Sequence, residues 1–423
     1  MELTQVFGYQ VLDSRGRPTV AVNVTLSDGS THTARVPSGA STGAHEAKEL
    51  RDIKTGFTER FYAGKSVYFA VDNINKIISP AIIGLGPDPA NIDAILAKLD
   101  PSDDHHTLGA NATLAVSLAV TKAAAHAAGK SLARYLQPSG NLLIPMPMVN
   151  ILSGGAHANR TLDIQDVLVL PHGATSFTEA LSWIVAIREL AVIKGKKYGA
   201  THLIADEGGL GIPFPSIDAA CEFVTSCISE IGLKVGSEVS IALDIASTEF
   251  FENGKYNLQT IGADFTSSQF VKFISKLVNE QPIISIEDPF AEDDWAAWQE
   301  FMDVAPKNLQ VLGDDLFTTN MARLERGISD SCANAILIKA NQNGLVTSTK
   351  EVLDKANAAN FKTVVSARSG ETEDSWLADL ATGWRAAQIK VGSTHGADRT
   401  AKWNRLLELE ATEECEFAKP FLF

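Results

Sequence analysis

The feature that most constrains this chain is a unit that recurs through its second half. A short apolar run ends on an ionisable residue, a helix-like stretch follows, and another apolar run begins. The runs are Leu203-Ile-Ala-Asp-Glu207, Val239-Ser-Ile-Ala-Leu-Asp244, Ile283-Ile-Ser-Ile-Glu287, Gln310-Val-Leu-Gly-Asp314, Ala335-Ile-Leu-Ile-Lys339, Thr363-Val-Val-Ser-Ala-Arg368 and Gln388-Ile-Lys390. Strand-like runs alternating with helices give a parallel α/β architecture. So many units suit a closed barrel better than an open sheet. In such a barrel the working groups sit at the C-terminal ends of the strands, where these ionisable residues fall. Any one of them alone reads as a solvated loop charge. The set, aimed at one rim, reads as a site.

The first half is built differently. Val20-Ala-Val-Asn-Val-Thr-Leu alternates like a strand and breaks at Asp28-Gly-Ser, a hairpin turn. Val36-Pro-Ser-Gly-Ala-Ser-Thr-Gly43 is too polar and Gly-rich for a core element and reads as a mobile loop. From about Ala70 to Leu136 the pattern is helical, and Pro138-Ser-Gly-Asn reads as a linker. The chain's 423 residues therefore divide into an α+β domain over residues 1–137 and a barrel over 138–423.

A net charge of −15 argues against nucleic acid and against anionic membrane surfaces as partners. The uncharged stretch Thr107 to Thr121 is too short for a membrane span, which needs about 20 apolar residues. Cys221, Cys227, Cys332 and Cys415 follow no metal-binding or disulfide spacing, and Met-Glu-Leu-Thr-Gln-Val has no export-signal character. The expectation is a cytoplasmic protein.

Asp244, Glu287 and Asp314 end three successive predicted strands. Three carboxylates on one rim repel unless a cation is present, and hard oxygen ligands of this kind suit Mg²⁺. The bland alternative is helix capping by Asp244 or Asp288. Lys339 and Lys390 also end apolar runs; near a metal and a second cation, a lysine's pKa falls and it becomes a usable general base. Glu207, in a Gly-loosened turn, is a candidate acid. Base, acid and carboxylate-held Mg²⁺ together describe removal of a proton next to a carboxylate.

Several longer motifs point the same way. They are Asp13-Ser-Arg-Gly-Arg-Pro-Thr-Val, Pro37-Ser-Gly-Ala-Ser-Thr-Gly, Met146-Pro-Met-Val-Asn-Ile-Leu-Ser-Gly-Gly, Ser285-Ile-Glu-Asp-Pro-Phe-Ala-Glu-Asp-Asp-Trp, Gly313-Asp-Asp-Leu-Phe-Thr-Thr-Asn, Ile338-Lys-Ala-Asn-Gln and Arg368-Ser-Gly-Glu-Thr-Glu-Asp. In these motifs and their order the chain resembles enolase, the phosphopyruvate hydratase of glycolysis. The resemblance implies an enolase-type (β/α)8 barrel with irregular first units, capped by the α+β domain. It implies that Asp244, Glu287 and Asp314 hold a first Mg²⁺ and that Lys339 takes the C2 proton of 2-phosphoglycerate. Lys390 would bind the substrate carboxylate, Arg368 and Ser369 the phosphate, and Ser41 a second Mg²⁺. Glu207 would assist loss of the C3 hydroxyl, with His157 and Gln165 lining the pocket. The family also implies a homodimer.

The departures lie at one end of the implied pocket. The family's His before Arg-Ser-Gly-Glu-Thr-Glu-Asp is Ala367, and its Gln-Glu pair is Gln165-Asp166, with Asp166 a candidate catalytic acid. The loop after His157 continues Asn159-Arg160-Thr161. Both differences belong to the C3-hydroxyl end, so the expectation is intact enolate chemistry with weakened or altered elimination. Three readings are compatible with this pattern: a diverged enolase, a relative of the carboxyphosphonoenolpyruvate synthases of phosphonate and phosphinate pathways, or a non-catalytic paralogue that binds.

Overall fold

The computed structural model describes residues 1–39, 43–52, 62–158, 162–199 and 203–421, without the side chains of residues 156 and 157. Three N-terminal strands, β1 (Leu3–Leu12), β2 (Pro18–Leu26) and β3 (Thr31–Arg35), form an antiparallel sheet in sequence order. The alternation in β2 is matched by the expected turn, where Gly29 N–H donates to Leu26 O and Ser30 N–H to Asp28 Oδ1. The two longest helices that follow in this domain are α1 (Pro89–Leu99) and α2 (Ala110–Ala127). Helix α2 is Ala-rich because almost its whole circumference is buried, against β2, β3 and α1. Small side chains permit that close approach on several sides.

The second domain is a closed eight-stranded barrel: β4 (Met146–Ser153), β5 (Asp166–Leu170), β6 (Ser240–Asp244), β7 (Ile283–Glu287), β8 (Gln310–Gly313), β9 (Ala335–Ile338), β10 (Lys362–Ser366) and β11 (Gln388–Lys390). The helices α3 (Phe177–Gly195), α4 (Ile217–Glu230), α5 (Ser267–Glu280), α6 (Trp295–Val304), α7 (Met321–Ser329), α8 (Val346–Ala358), α9 (Trp376–Gly383) and α10 (Ala397–Thr412) belong to this domain.

Two expectations are corrected here. The run Leu203–Glu207 is not a barrel strand. It folds back on itself, with Ala205 N–H donating to Gly209 O and Gly208, at φ +86°, donating to Ala205 O. Ile204 makes only an isolated bridge to Leu210. Its place in the barrel is taken by β4 and β5. The barrel is also not all parallel, because β5 runs antiparallel to both β4 and β6. A β4–β5 connection of the hairpin kind needs no crossover helix, so the strand–helix rhythm of the sequence starts only later.

A small cluster including Met146, Met148, Leu168, Leu170, Ile284, Leu337 and Val364 fills the barrel, with Phe421 packed into it. Met146 and Leu170 stand at the rim opposite the strand-end charges, so the Phe421 ring seals that end. The ammonium of Lys362 lies 4.1 Å from the ring centroid. With one end closed, access to the barrel axis is from the other, where the N-terminal domain sits.

The domains meet through backbone as well as side chains. Ser38 and Gly370 form a two-hydrogen-bond bridge, N–H to O at 2.8 and 3.0 Å. A Cβ on Gly370 would fall 2.4 Å from Asp13 Oδ2 and 2.7 Å from Ser38 O, so this contact requires glycine. Lys122 pairs with Asp374, and Glu46 with Arg368, across the same junction.

Candidate active site

The strand-end residues converge as their positions predict. Asp244 and Glu287 are register partners on adjacent parallel strands, and Asp314 follows the last residue of β8. All three are buried. Lys390, at the end of β11, sends Nζ to Asp244 Oδ2 at 2.6 Å and to both oxygens of Glu287 at 2.8 Å. Lys339, immediately after β9, pairs with Asp314. Neither Asp244 nor Asp288 caps its own following segment. Asp244 accepts from Gln165 Nε2 at 3.0 Å, and Asp288 accepts the backbone N–H groups of Asp314 and Asp315.

A small pocket, with a cavity volume of about 30 Å³, opens over these groups. Its lining includes Gln165, Glu207, Asp244, Asp314, Lys339, Arg368 and Ser369 from the expected set, and Glu46, Glu249, Asp288 and Asp315 besides. Glu207 accepts from Asn150 Nδ2 at 3.1 Å. Asp166 is fully buried and its carboxylate accepts from Ser153 Oγ at 2.5 Å. It reaches the working rim from the first residue of β5, because that strand is inverted and Asp166 stands opposite Asp244. Ala367 closes β10, its N–H donating to Lys390 O at 2.8 Å. Ser41 and Asn159-Arg160-Thr161 lie outside the described residues, as does the side chain of His157.

The electrostatics are those of crowded acids. Burial and then Asp244 push Glu287 well above the usual carboxylate range. Burial and then neighbouring carboxylates do the same to Asp288 and Asp315. Burial also acts to raise Asp314, but Lys339 and Arg368 outweigh it and hold that acid low. Burial works against the charge on Lys339, yet Asp314 and Glu287 overcome it and the ammonium is held above its ordinary value. Lys390 goes further in the same direction, burial being outweighed by Asp244 and Glu287. This reverses the expected lowering of the lysine. The reason is pairing: the acids expected to face a metal here face the lysines.

The donor set fits a divalent cation. Among the described residues, the group whose oxygens lie within 4.8 Å of one another is Asp288, Asp314 and Asp315, all hard ligands. It shares only Asp314 with the expected trio, whose Asp244 and Glu287 are bound by Lys390. Asp288 and Asp315, crowded by burial and by neighbouring carboxylates, are short of counter-charge, which a cation would supply.

Sequence reading does not find Glu46 or Asp315, and it treats Asp288 only as a possible cap. Glu46 is buried and meets Arg368 through two bonds, Nη1 to Oε2 at 2.8 Å and Nη2 to Oε1 at 3.2 Å. It also accepts from Gln342 Nε2, which in turn donates to Asp314 Oδ1 at 2.9 Å. Nothing in the local pattern of Ala44-His-Glu-Ala sets Glu46 apart. Asp288 and Asp315 carry a signal that is easily overlooked, since each directly follows a strand-end acid.

Comparison with known protein families gives two matches. The model described as "Enolase, C-terminal TIM barrel domain" matches residues 141–419, and the one described as "Enolase, N-terminal domain" matches residues 3–136. Together they take in both domains. Among the described residues no helix is long and apolar enough to cross a membrane.

Proposed function

The chain belongs to the enolase family, and on that premise we propose that it is a Mg²⁺-dependent enzyme forming an enolate from 2-phosphoglycerate. The C2 proton is removed, and the product is phosphoenolpyruvate or a related enolpyruvate. The observation that carries the proposal is the convergence of Lys339 and Lys390, from strands separated by β10, on the acids Asp314, Asp244 and Glu287.

Each residue has a distinct task. Lys339 is the base at C2; its ammonium is supported mainly by Asp314, so it gives up that proton when Asp314 is engaged otherwise. Lys390 keeps its charge and binds the substrate carboxylate. Arg368 and Ser369 take the phosphate, with Glu46 holding the Arg368 guanidinium in place. Glu207 protonates the departing C3 hydroxyl. Asp244, Glu287 and Asp314 would hold Mg²⁺, with Asp288 and Asp315 beside them, and Ser41 would reach a second ion. Bound Mg²⁺ supplies concentrated positive charge against the second negative charge that develops on the substrate carboxylate.

A second reading keeps the enolate half and changes the fate of the enolate. Its support is the C3-hydroxyl end, where Ala367 offers no hydrogen bond from its side chain and Asp166 is tied to Ser153. On this reading the chain is a transferase-like enolase relative of phosphonate or phosphinate biosynthesis. A homodimer in the cytoplasm is part of the same proposal.

The test is 2-phosphoglycerate with Mg²⁺ in D₂O, following C2-proton exchange and phosphoenolpyruvate absorbance together. Exchange faster than elimination is the expected outcome, with elimination about 10²–10⁴-fold below that of an ordinary enolase, the contribution of one positioned acid–base group. Elimination at an ordinary enolase rate would sink the altered-chemistry reading. Absence of both exchange and Mg²⁺ binding would leave the non-catalytic paralogue.

A further inference from the structure

The side chain that organises the phosphate end of the cavity does not line it. Arg399, in the first turn of α10, is fully buried, an unusual place for a guanidinium. Its partners are almost all main-chain carbonyls of loops at the working rim. Nη1 donates to Arg368 O at 2.6 Å and to Val391 O at 2.9 Å. Nη2 donates to Ser369 O at 2.6 Å and to Asp206 O at 3.4 Å. Asp398 Oδ2 lies 2.8 Å from Nε and offsets part of the charge.

These carbonyls belong to three separate segments: the loop after β10, the residue after β11, and the folded-back turn that carries Glu207. Outward-facing carbonyls at a loop crossing repel one another and are costly to bury unpaired. A planar fork of donors at their centre removes both problems and fixes their mutual angles. The surroundings reinforce the same crossing. Ser393 N–H donates to Glu207 O at 2.8 Å, and Arg188 spans Ser393 Oγ and Gly208 O. Gly392, at φ +107°, leaves no room for a Cβ, which would meet Glu207 O at 2.6 Å and Arg399 Cδ at 3.2 Å. One turn further along α10, Lys402 pairs with Glu371, whose other oxygen accepts the Arg368 N–H at 3.2 Å.

We propose that Arg399 is the positioning residue that sets the phosphate-binding Arg368-Ser369 segment and the Glu207 turn relative to one another. It touches no reacting atom and acts through the backbone of the residues that do. The inference rests on the roles given to Arg368, Ser369 and Glu207 above. It adds that substrate affinity and elimination share one determinant, which the C2-proton step at Lys339 does not share.

The experiment uses Arg399→Gln and Arg399→Lys in the full chain. C2-proton exchange and elimination of 2-phosphoglycerate are measured at saturating Mg²⁺, and inorganic phosphate binding by calorimetry. In Arg399→Gln, KM and the phosphate Kd should rise by about 10-fold or more, and the ratio of elimination to exchange should fall, while exchange at saturating substrate stays within about 3-fold of the parent. Arg399→Lys should recover part of the affinity, because an ammonium reaches some of these carbonyls. Wild-type affinity and ratio in folded Arg399→Gln would overturn the proposal, as would equal losses of exchange and elimination with unchanged KM in either variant. If Arg399→Gln does not fold, the lysine variant decides by the same criteria. Failure of the parent to exchange the C2 proton would count against the enolate reading, whereas the phosphate Kd would still test the positioning.

Discussion

Asp166 shows how a single side chain can stand in the expected place and face an unexpected partner. Its carboxylate is one methylene shorter than the family's glutamate and accepts from Ser153 Oγ. At Ala367 the missing imidazole removes a hydrogen-bonding group of the kind worth about 10²–10⁴-fold in rate. The double change Ala367→His with Asp166→Glu is therefore expected to raise 2-phosphoglycerate elimination by at least about 10²-fold, with little effect on C2-proton exchange. Steady-state absorbance and exchange in D₂O, run on the same preparations, check it. No gain from the pair would place the departure elsewhere, the residues after His157 being next. The lysines and strand-end acids were legible because each ends an apolar run. Glu46 was not, because it comes to the site only through the docking of another domain.

At the scale of elements, the junction between Ser38 and Gly370 is the most demanding contact. The turn there accepts no side chain, and neighbouring Ser369 belongs to the cavity lining. Gly370→Ala should cost about 2 kcal/mol by overpacking and raise KM for a phosphorylated substrate, read by urea unfolding and steady-state kinetics. Unchanged KM would mean that the Ser38 segment is not needed to hold Ser369. A second contact between the domains is sensitive to pH. His105, buried against Gly344, has its pKa depressed by burial, with Asp100 and Asp104 acting the other way. A depressed folded-state pKa means stability that is present above the ordinary 6.5 and lost as pH falls through and below it. The His105 contribution should thus fall away between about pH 7 and about pH 5, so the urea-midpoint slope over that range should differ between the parent and His105→Gln. His172, also depressed by burial, acts in the same sense, and the raised Glu287, Asp288 and Asp315 act in the opposite one. An equal slope in the variant would remove His105 from the explanation. Six of the seven predicted runs are barrel strands, since β-branched and apolar runs bounded by helices leave little choice. The seventh failed because a Gly-Gly turn lets Leu203–Glu207 pair with itself, a tertiary outcome that an apolar run of that length does not encode.

Across the whole molecule, the acids at the rim give the structure a debt of charge that the two lysines settle only in part. Adding Mg²⁺ should raise the thermal midpoint by about 2 °C or more at concentrations well above Kd. Potassium chloride of equal ionic strength should not, and Asp314→Asn should abolish the gain; scanning calorimetry with and without EDTA is the measurement. A Mg²⁺ effect that survives Asp314→Asn would move the ion away from this cluster. The α+β and barrel plan, the closure of the barrel and the rim at which the strand-end charges gather were all readable from the order of runs and charges. The inverted strand was not, since the four apolar residues after Asp166 look alike in either direction.

That inversion has a consequence for how the protein can vary. On the parallel strands, the connection that follows a strand emerges beside the cavity, and the connection that precedes it lies near the Phe421 plug. For β5 the order is exchanged: Asp166 begins the strand at the rim, and Leu170 ends it at the sealed end. Insertions upstream of Asp166 would therefore remodel specificity, while insertions just after Leu170 would be silent. In this one unit, lineages that diversify their substrates should accumulate length changes ahead of the strand rather than behind it.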